Sequence, residues 1–203
     1  EESWDDVTGA TAHGYSVASG NRDWFHYSNT SLMDNVAIGI DYVPSDGATD
    51  VESSSGITVK YTGIDGLTIG AGMGEDNGEG PGDSKDVTAF NITYAIDAIT
   101  IGYSSYENDT NSSANSTAGS TRVGDDTLTA IGISYAVSDD LSVSLNSSET
   151  ELEGLTDQEA TGISASMVMG SMTLSANHNS VENVGGTNGK DRSGYALGLS
   201  FAF

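Results

Sequence analysis

The residues best suited to chemistry in this chain are acidic and lie in one glycine-rich segment, GEDNGEGPGD (74–83). Carboxylate and amide oxygens are the hard ligands that Ca²⁺ prefers. The spacing is not that of an EF-hand loop, so a solvated acidic loop without bound metal is the alternative interpretation. The candidate Ca²⁺ ligands are Glu75, Asp76, Asn77, Glu79 and Asp83.

Catalytic side chains do not form a recognisable pattern. The histidines His13, His26 and His178 are isolated in sequence, and no GxSxG motif occurs. His178 lies near Ser175, but the two alternate onto opposite faces of an extended strand, so they do not form a Ser–His pair. We therefore expect no enzymatic activity and no cofactor other than Ca²⁺ in the loops.

The composition of the chain excludes several classes of binding partner and of membrane-spanning segment. The chain has 203 residues, a net charge of −24 and only 6 lysines and arginines. Phosphate backbones are bound by clustered basic residues, so nucleic acid is not an expected partner. No run of 18 or more apolar residues occurs, so no transmembrane helix is predicted. The absence of cysteine argues against a small disulfide-stapled secreted domain.

Apolar side chains instead follow a period of two. In the last segment, GYALGLSFAF (194–203), every second residue is large and apolar, from Tyr195 to Phe203. Such alternation predicts a β-strand with one apolar face. A stripe that runs to the last residue without a polar tail is typical of a strand whose apolar face meets lipid.

The alternating segments form an internal repeat of hairpins. Aligning them brings equivalent large residues together at separations of 32 to 41 residues. Tight turns join the strands at one end, and long acidic connections rich in Gly, Asn and Ser join them at the other, which is typical of a transmembrane β-barrel. The equivalent residues are Tyr27, Tyr61, Tyr94, Tyr135, Met167 and Phe201.

The side chains at the alternate positions of each strand, between the large apolar ones, are polar and small. Threonine, serine, asparagine and glycine dominate these positions, and Asp41 and Lys60 are the charges that we place there within strands. Such side chains suit a wall that water wets rather than a filled barrel interior. A soluble β-sandwich with these positions as its solvent face is the alternative. Tyrosines near both strand ends favour the membrane interpretation, because amphipathic rings collect at the two interfaces.

Eleven strands are predicted, whereas a bacterial barrel that closes on itself has an even number of strands. Either residues 12–18 (AHGYSVA) form a twelfth strand of a small barrel, or the strands are numbers six to sixteen of a barrel of about 16 strands. We favour the second, an all-β antiparallel transmembrane barrel. The predicted strands are 24–29, 35–43, 56–63, 67–74, 87–95, 99–107, 127–136, 141–150, 160–168, 172–180 and 193–203.

Three stretches resemble Gram-negative outer-membrane porins of the Rhodobacter type. They are NRDWFHYSNTSLMDNVAIGIDYVP (21–44), ISYAVSDDLSVSLNSSE (133–149) and the final GYALGLSFAF. The resemblance implies a trimeric, water-filled channel in the outer membrane of a Gram-negative bacterium. It also implies that Phe201 and Phe203 are part of a signal recognised by the barrel-assembly machinery.

The same resemblance implies a constriction loop before the first strand seen here. That loop corresponds to residues 1–22, with the remaining strands forming a single barrel domain over 23–203. Its acids, together with Asp41 and Lys60, are the predicted constriction residues: Glu1, Glu2, Asp5 and Asp6. Acids in 108–126 and 150–159 are candidates for bridging to lipopolysaccharide phosphates through divalent cations.

Two functions follow from this interpretation. The first is passive diffusion of small hydrophilic solutes and ions, with a preference for cations because acids near the mouth concentrate them. The second is a surface anchor or adhesin, in which the long acidic loops carry the function and the barrel only holds them. Stepwise current in a planar bilayer separates the two.

Overall fold

A computed structural model describes residues 25–45, 53–76, 85–110 and 125–202. Every predicted strand is present, and most are longer than predicted at the ends that meet the long connections. The strands are β1 (Phe25–Met33), β2 (Val36–Val43), β3 (Ser54–Ile64), β4 (Leu67–Asp76), β5 (Lys85–Ile96), β6 (Ile99–Thr110), β7 (Asp126–Ala136), β8 (Leu141–Leu152), β9 (Gln158–Met169), β10 (Met172–Glu182) and β11 (Arg192–Phe201). One 3₁₀ turn, η1 (Val184–Gly186), lies between β10 and β11.

The eleven strands form one sheet in which each strand neighbours the next in sequence, in the order β1 to β11. The pairings of β1 to β4 and of β8 to β11 are antiparallel. Hairpins joined in sequence order require antiparallel neighbours, since a short turn reverses the chain. This confirms the all-β antiparallel fold class. The possible twelfth strand at 12–18 lies outside the described residues.

By internal packing the chain divides into two compact units, which we describe separately. One contains β1 to β4 with the adjoining parts of β5, β6 and β7, within 25–92 and 104–127. The other contains the remainder of β5 to β7, at 93–103 and 128–136, together with β8 to β11.

Short turns join the strands at one end, which we call the turn end, and the long connections lie at the other, the loop end. The turns have two residues each, except for the four residues 137–140 between β7 and β8. Asn35, Gly66, Asp97 and Gly170 each have a positive φ in these turns. Asn, Asp and Gly tolerate this left-handed backbone better than other residues, so the turn residues themselves specify where each strand reverses.

The register divides the side chains between two faces. On β8 and β9, Leu145 lies opposite Ile163, while the neighbouring Ser144 lies opposite Ser164. We call the face that carries the large hydrophobic residues the apolar face and the opposite one the polar face. The apolar face is widely exposed on β11, where Tyr195 is 85% and Leu197 is 76% accessible.

The buried side chains lie on the polar face, and most of them are close to the loop end of their strands. Among the described residues, the large hydrophobic side chains of the apolar face are instead exposed, which is the arrangement expected when lipid is their solvent. The buried residues are Val43, Ser54, Val87, Asp126, Ala130, Thr150, Leu152 and Ala160.

Candidate functional site

The polar face of β8 to β11 is built from rows of hydroxyl and amide side chains. Register pairing gives the row Ser144, Ser164, Asn177 and Ala196, and the Ser144 and Ser164 hydroxyls lie 2.6 Å apart in a hydrogen bond. The next row toward the loop end is Asn146, Gly162, Asn179 and Gly194, and the row toward the turn end is Ser142, Ser166, Ser175 and Gly198. These rows present neutral polar groups without a charge.

Three asparagine side chains on the polar face keep an unused acceptor. The Oδ1 atoms of Asn108, Asn146 and Asn179 are inaccessible from outside and have no hydrogen-bond partner among the described protein atoms. Asn146 and Asn179 flank Gly162 from the two neighbouring strands. A buried amide oxygen without a partner costs about 1–3 kcal/mol, so these three side chains lower the stability of the sheet.

The polar face of β1 to β4 combines small residues with a few charges. Thr58 lies between Gly39 and Gly72, and a Cβ at Gly39 would come too close to the Thr58 hydroxyl. The glycines therefore make room for the threonine side chain along the sheet. Lys60 faces Ala37 on one side and Gly70 on the other, so small neighbours leave its long side chain exposed.

Asp41 is paired in a way that the sequence did not predict. His26 Nδ1 lies 2.6 Å from Asp41 Oδ1 across β1 and β2. The prediction that His26 is isolated was therefore wrong, because the register brings together two residues that are 15 positions apart. The prediction for His178 was also incomplete: its ring stacks on Tyr195 on the apolar face, at a centroid distance of 5.5 Å. Ser175 lies on the polar face, so the expected absence of a Ser175–His178 pair holds.

The longer strands add charges to the polar face. Lys85, Asp126 and Arg192 fall within strands at polar-face positions, so the prediction that Asp41 and Lys60 were the charges there was too narrow. Asp126 is 8% exposed and accepts a hydrogen bond from Asn108 Nδ2 at 2.9 Å. In the described strands, lysine and arginine side chains therefore occupy polar-face positions.

Acidic residues border the apolar face at the loop end. Glu159 on β9 lies directly opposite Glu149 on β8 and Glu182 on β10, and we call these three the glutamate row. Like charges placed opposite one another on neighbouring strands repel. The other unit has a comparable acidic cluster on β5 to β7, formed by Asp86, Glu107, Asp109 and Asp125.

The acidic cluster changes the protonation of one of its members. Asp109 lies beyond Tyr103 at the loop end of β6, outside the part of the strand that faces the apolar band. Repulsion from the Asp125 carboxylate raises the pKa of Asp109 above its usual range. Loss of hydration, a hydrogen bond with Asp125 and the charges of Asp86 and Glu107 contribute in the same direction.

The other predicted site residues lie partly outside the described residues. The predicted constriction acids Glu1, Glu2, Asp5 and Asp6 belong to that part, as do Asn77, Glu79, Asp83 and Phe203. Glu75 is exposed near the end of β4, and Phe201 pairs with Met172. Within 25–45, 53–76, 85–110 and 125–202, no three carboxylates or histidines converge closely enough to hold a metal ion. The Ca²⁺ set and the constriction residues therefore stay predictions.

Among the described residues, no helix has the length and apolar character needed to cross a membrane. Antiparallel strands with one lipid-compatible face, one hydrophilic face and short turns at one end define the transmembrane β-strand class of outer-membrane proteins.

Comparisons with known proteins agree with this class. Residues 105–203 match the family of Gram-negative porins. The chain is also similar in fold to OmpF of Salmonella typhi, solved in complex with daunomycin, with a TM-score of 0.62 and 13% identity over 87% of this chain and 61% of that chain. The chain thus spans about three-fifths of the length of that protein. No curated protein matches the sequence.

Residues 105–203 thus match the Gram-negative porin family, and the chain has the fold of a porin, which supports the resemblance found in the sequence. Both comparisons indicate a multi-pass β-barrel protein of the outer membrane. Neither comparison bears on the Rhodobacter-type subgroup.

Proposed function

We propose that the protein forms a water-filled channel for the passive diffusion of small hydrophilic solutes and ions, without catalysis. The observation that carries this proposal is the polar face, with its neutral rows of serine and asparagine side chains. Water and small polar solutes satisfy such groups, whereas a packed protein interior would leave them unpaired.

We further propose a moderate preference for cations. Its support is the net charge of −24 and the acids at the loop ends, which attract cations toward the mouth. Within the described strands, the positive charges of Lys60, Lys85 and Arg192 offset the negative charges of Asp41 and Asp126, so this part of the wall contributes little net charge. The preference would therefore arise from the field at the mouth and weaken as salt screens it.

Planar-bilayer recording of the full-length protein tests the channel and its selectivity together. Stepwise current is expected, with a reversal potential in a KCl gradient that has the sign for cations. Absence of steps would reject the channel and favour the anchor or adhesin function. Steps with an anion-selective potential would reject only the cation preference.

Divalent cations and lipopolysaccharide are proposed partners of the loop-end acids. The glutamate row and the acidic cluster are exposed where the apolar face ends, so Ca²⁺ or Mg²⁺ between these carboxylates and lipid phosphates would relieve their repulsion. We expect a chelator to lower the thermal stability of the protein in native outer membranes. Unchanged stability in native membranes would argue against the bridges, and vesicles without lipopolysaccharide serve as the control.

Assembly as a homotrimer and recognition of the terminal strand by the barrel-assembly machinery are also proposals, both resting on the family resemblance. Cross-linking in native membranes should yield a trimer band that heating abolishes. Replacing Phe203 by serine should reduce insertion in cells but leave refolding into pure lipid vesicles intact. An equal loss in both settings would argue for a purely structural role.

A further inference from the structure

The β10–β11 loop (183–191) is fastened to the β8–β9 loop (153–157). Asn183 is central to this contact: its Nδ2 donates to the Asp157 carbonyl oxygen at 3.0 Å, and its Oδ1 accepts from the Gly189 amide at 3.0 Å. The Thr156 amide donates to the Gly186 carbonyl oxygen at 3.3 Å. These bonds hold the two loops in one arrangement, because each involves backbone groups on which the loop conformation depends.

The fastening lies on the polar side of the sheet. The Gly185 amide donates to Gln158 Oε1 at 2.9 Å, and Gln158 shares the polar-face parity of Ala160 and Gly162. Leu152, at the polar-face end of β8, is only 5% exposed, and its Cδ1 lies 3.0 Å from where a Cβ on Gly186 would stand.

The apolar side of the same strand ends is left uncovered. Glu149, Glu159 and Glu182 are all exposed there, although they lie within a few residues of the fastened loops. The β10–β11 loop therefore extends over the polar face and not over the apolar one.

The overhanging loop and the first residue of β11 carry two of the few basic residues of the chain. Lys190 and Arg192 account for two of the 6 lysines and arginines, and both are exposed. Arg192 lies opposite Val181 on the polar face. The Asp191 carboxylate, between them in sequence, accepts a hydrogen bond at its Oδ1 from the backbone N–H of Asn183 at 3.1 Å.

We propose that the β10–β11 loop is a fixed overhang at the loop-end mouth of the channel, where Lys190 and Arg192 contact passing solutes and limit the preference for cations. The inference rests on the proposed channel function. Lys190 and Arg192 would thus help to determine ion selectivity. Their positive charges lie on the polar side of the sheet, opposite to the apolar side that carries the glutamate row.

Neutralising either base should raise cation selectivity. For an ion passing within about 10 Å, losing one positive charge changes the cation-to-anion permeability ratio by about 1.5-fold at physiological ionic strength, and by more in dilute salt, where the Debye length is about 30 Å. The test variants are Lys190→Gln and Arg192→Gln, recorded in the full-length protein.

Ser193→Glu is the matched control. It changes the net charge by the same amount as Arg192→Gln, at the adjacent residue, but Ser193 lies opposite Ser180 on the apolar-face parity. A rise in the permeability ratio for Lys190→Gln and Arg192→Gln, with a much smaller change for Ser193→Glu, is the expected result. Equal ratios in wild type and both glutamine variants would overturn the inference. A wild type that shows no stepwise current would instead reject the channel itself.

A second pair of variants tests the fastening. Gly186 and Gly189 both have positive φ, at 74° and 71°, so alanine is strained at each. Only at Gly186 would the new Cβ meet another side chain, at 2.7 Å from Leu155 Cβ, whereas nothing lies within 4 Å at Gly189. Gly186→Ala should therefore release the loop, and Gly189→Ala should leave it in place.

Release has two readouts. Trypsin should cut after Lys190 in intact outer membranes, and single-channel conductance should rise because the overhang no longer narrows the mouth. Cleavage without a change in conductance would show that the loop does not narrow the channel. If Gly186→Ala resists trypsin like wild type, the contact at Gly186 does not fasten the loop, which contradicts the fixed overhang.

Discussion

Replacing Leu145 by arginine tests the assignment of the two faces most directly. Leu145 is on the apolar face of β8, 54% exposed, and opposite Ile163. It lies four residues after Leu141, where β8 begins, and four residues before Glu149. At about 3.3 Å per residue and a tilt of about 40°, each interval is about 10 Å in height, which places Leu145 near the middle of an apolar band about 25 Å tall.

A charged side chain at the bilayer midplane lowers barrel stability by about 2–4 kcal/mol, and near an interface by about 0–1 kcal/mol. Leu145→Arg should therefore shift the unfolding equilibrium by about 30-fold to about 900-fold. Leu141→Arg, close to the turn end, should cost much less. Ser142→Arg, three residues from Leu145 but on the wetted polar face, should change stability by no more than about 0.5 kcal/mol.

Reversible unfolding by guanidinium in phospholipid vesicles measures these differences, with the chain's 2 tryptophans as the fluorescent probe. The order of stability loss should be Leu145, then Leu141, then Ser142. If Ser142→Arg costs as much as Leu145→Arg, the polar face does not meet water, and the reasoning from parity to a channel fails.

The remaining predictions concern charge and turns. Asp41→Asn should reduce the preference for cations and Lys60→Gln should increase it, because both side chains lie on the polar face; reversal potentials that move in the same direction for both would contradict this. The raised pKa of Asp109 means that the folded state binds a proton more tightly than the unfolded state, so stability should fall as pH rises through the range just above an ordinary aspartate pKa of about 3.9. Asp109→Asn should flatten that part of the stability profile, and an unchanged slope would exclude the repulsion from Asp125 as its cause. Gly170→Ala places a side chain at φ 64° and should lower the free energy of unfolding by about 1–2 kcal/mol, measured by the same guanidinium titration.

The number of strands, the turns and the division into two faces were all predictable from local patterns. Alternation of side chains along a strand depends only on the strand's own period of two, so Tyr61, Tyr94 and Tyr135 could be placed on one face without knowing their neighbours. The turn residues Gly66 and Gly170 likewise carry their backbone preference locally, whereas Asn35 was predicted inside a strand and lies in a turn. Several strands were predicted to end too early at the loop end. The polar, acidic composition around Glu159 is typical of a loop, although strand pairing continues through Glu159 to Glu149 and Glu182.

The contacts between distant residues required the tertiary structure. His26 meets Asp41 only because the register of β1 and β2 pairs them, and Gln158 meets Gly185, which is 27 residues away, only because two loops fold toward the same side of the sheet. Register and loop docking depend on many weak pairings at once, and no single residue type specifies them. The chain by itself therefore determined which side chains face lipid and which face water. The folded sheet decided where the few basic residues stand along the water-facing wall.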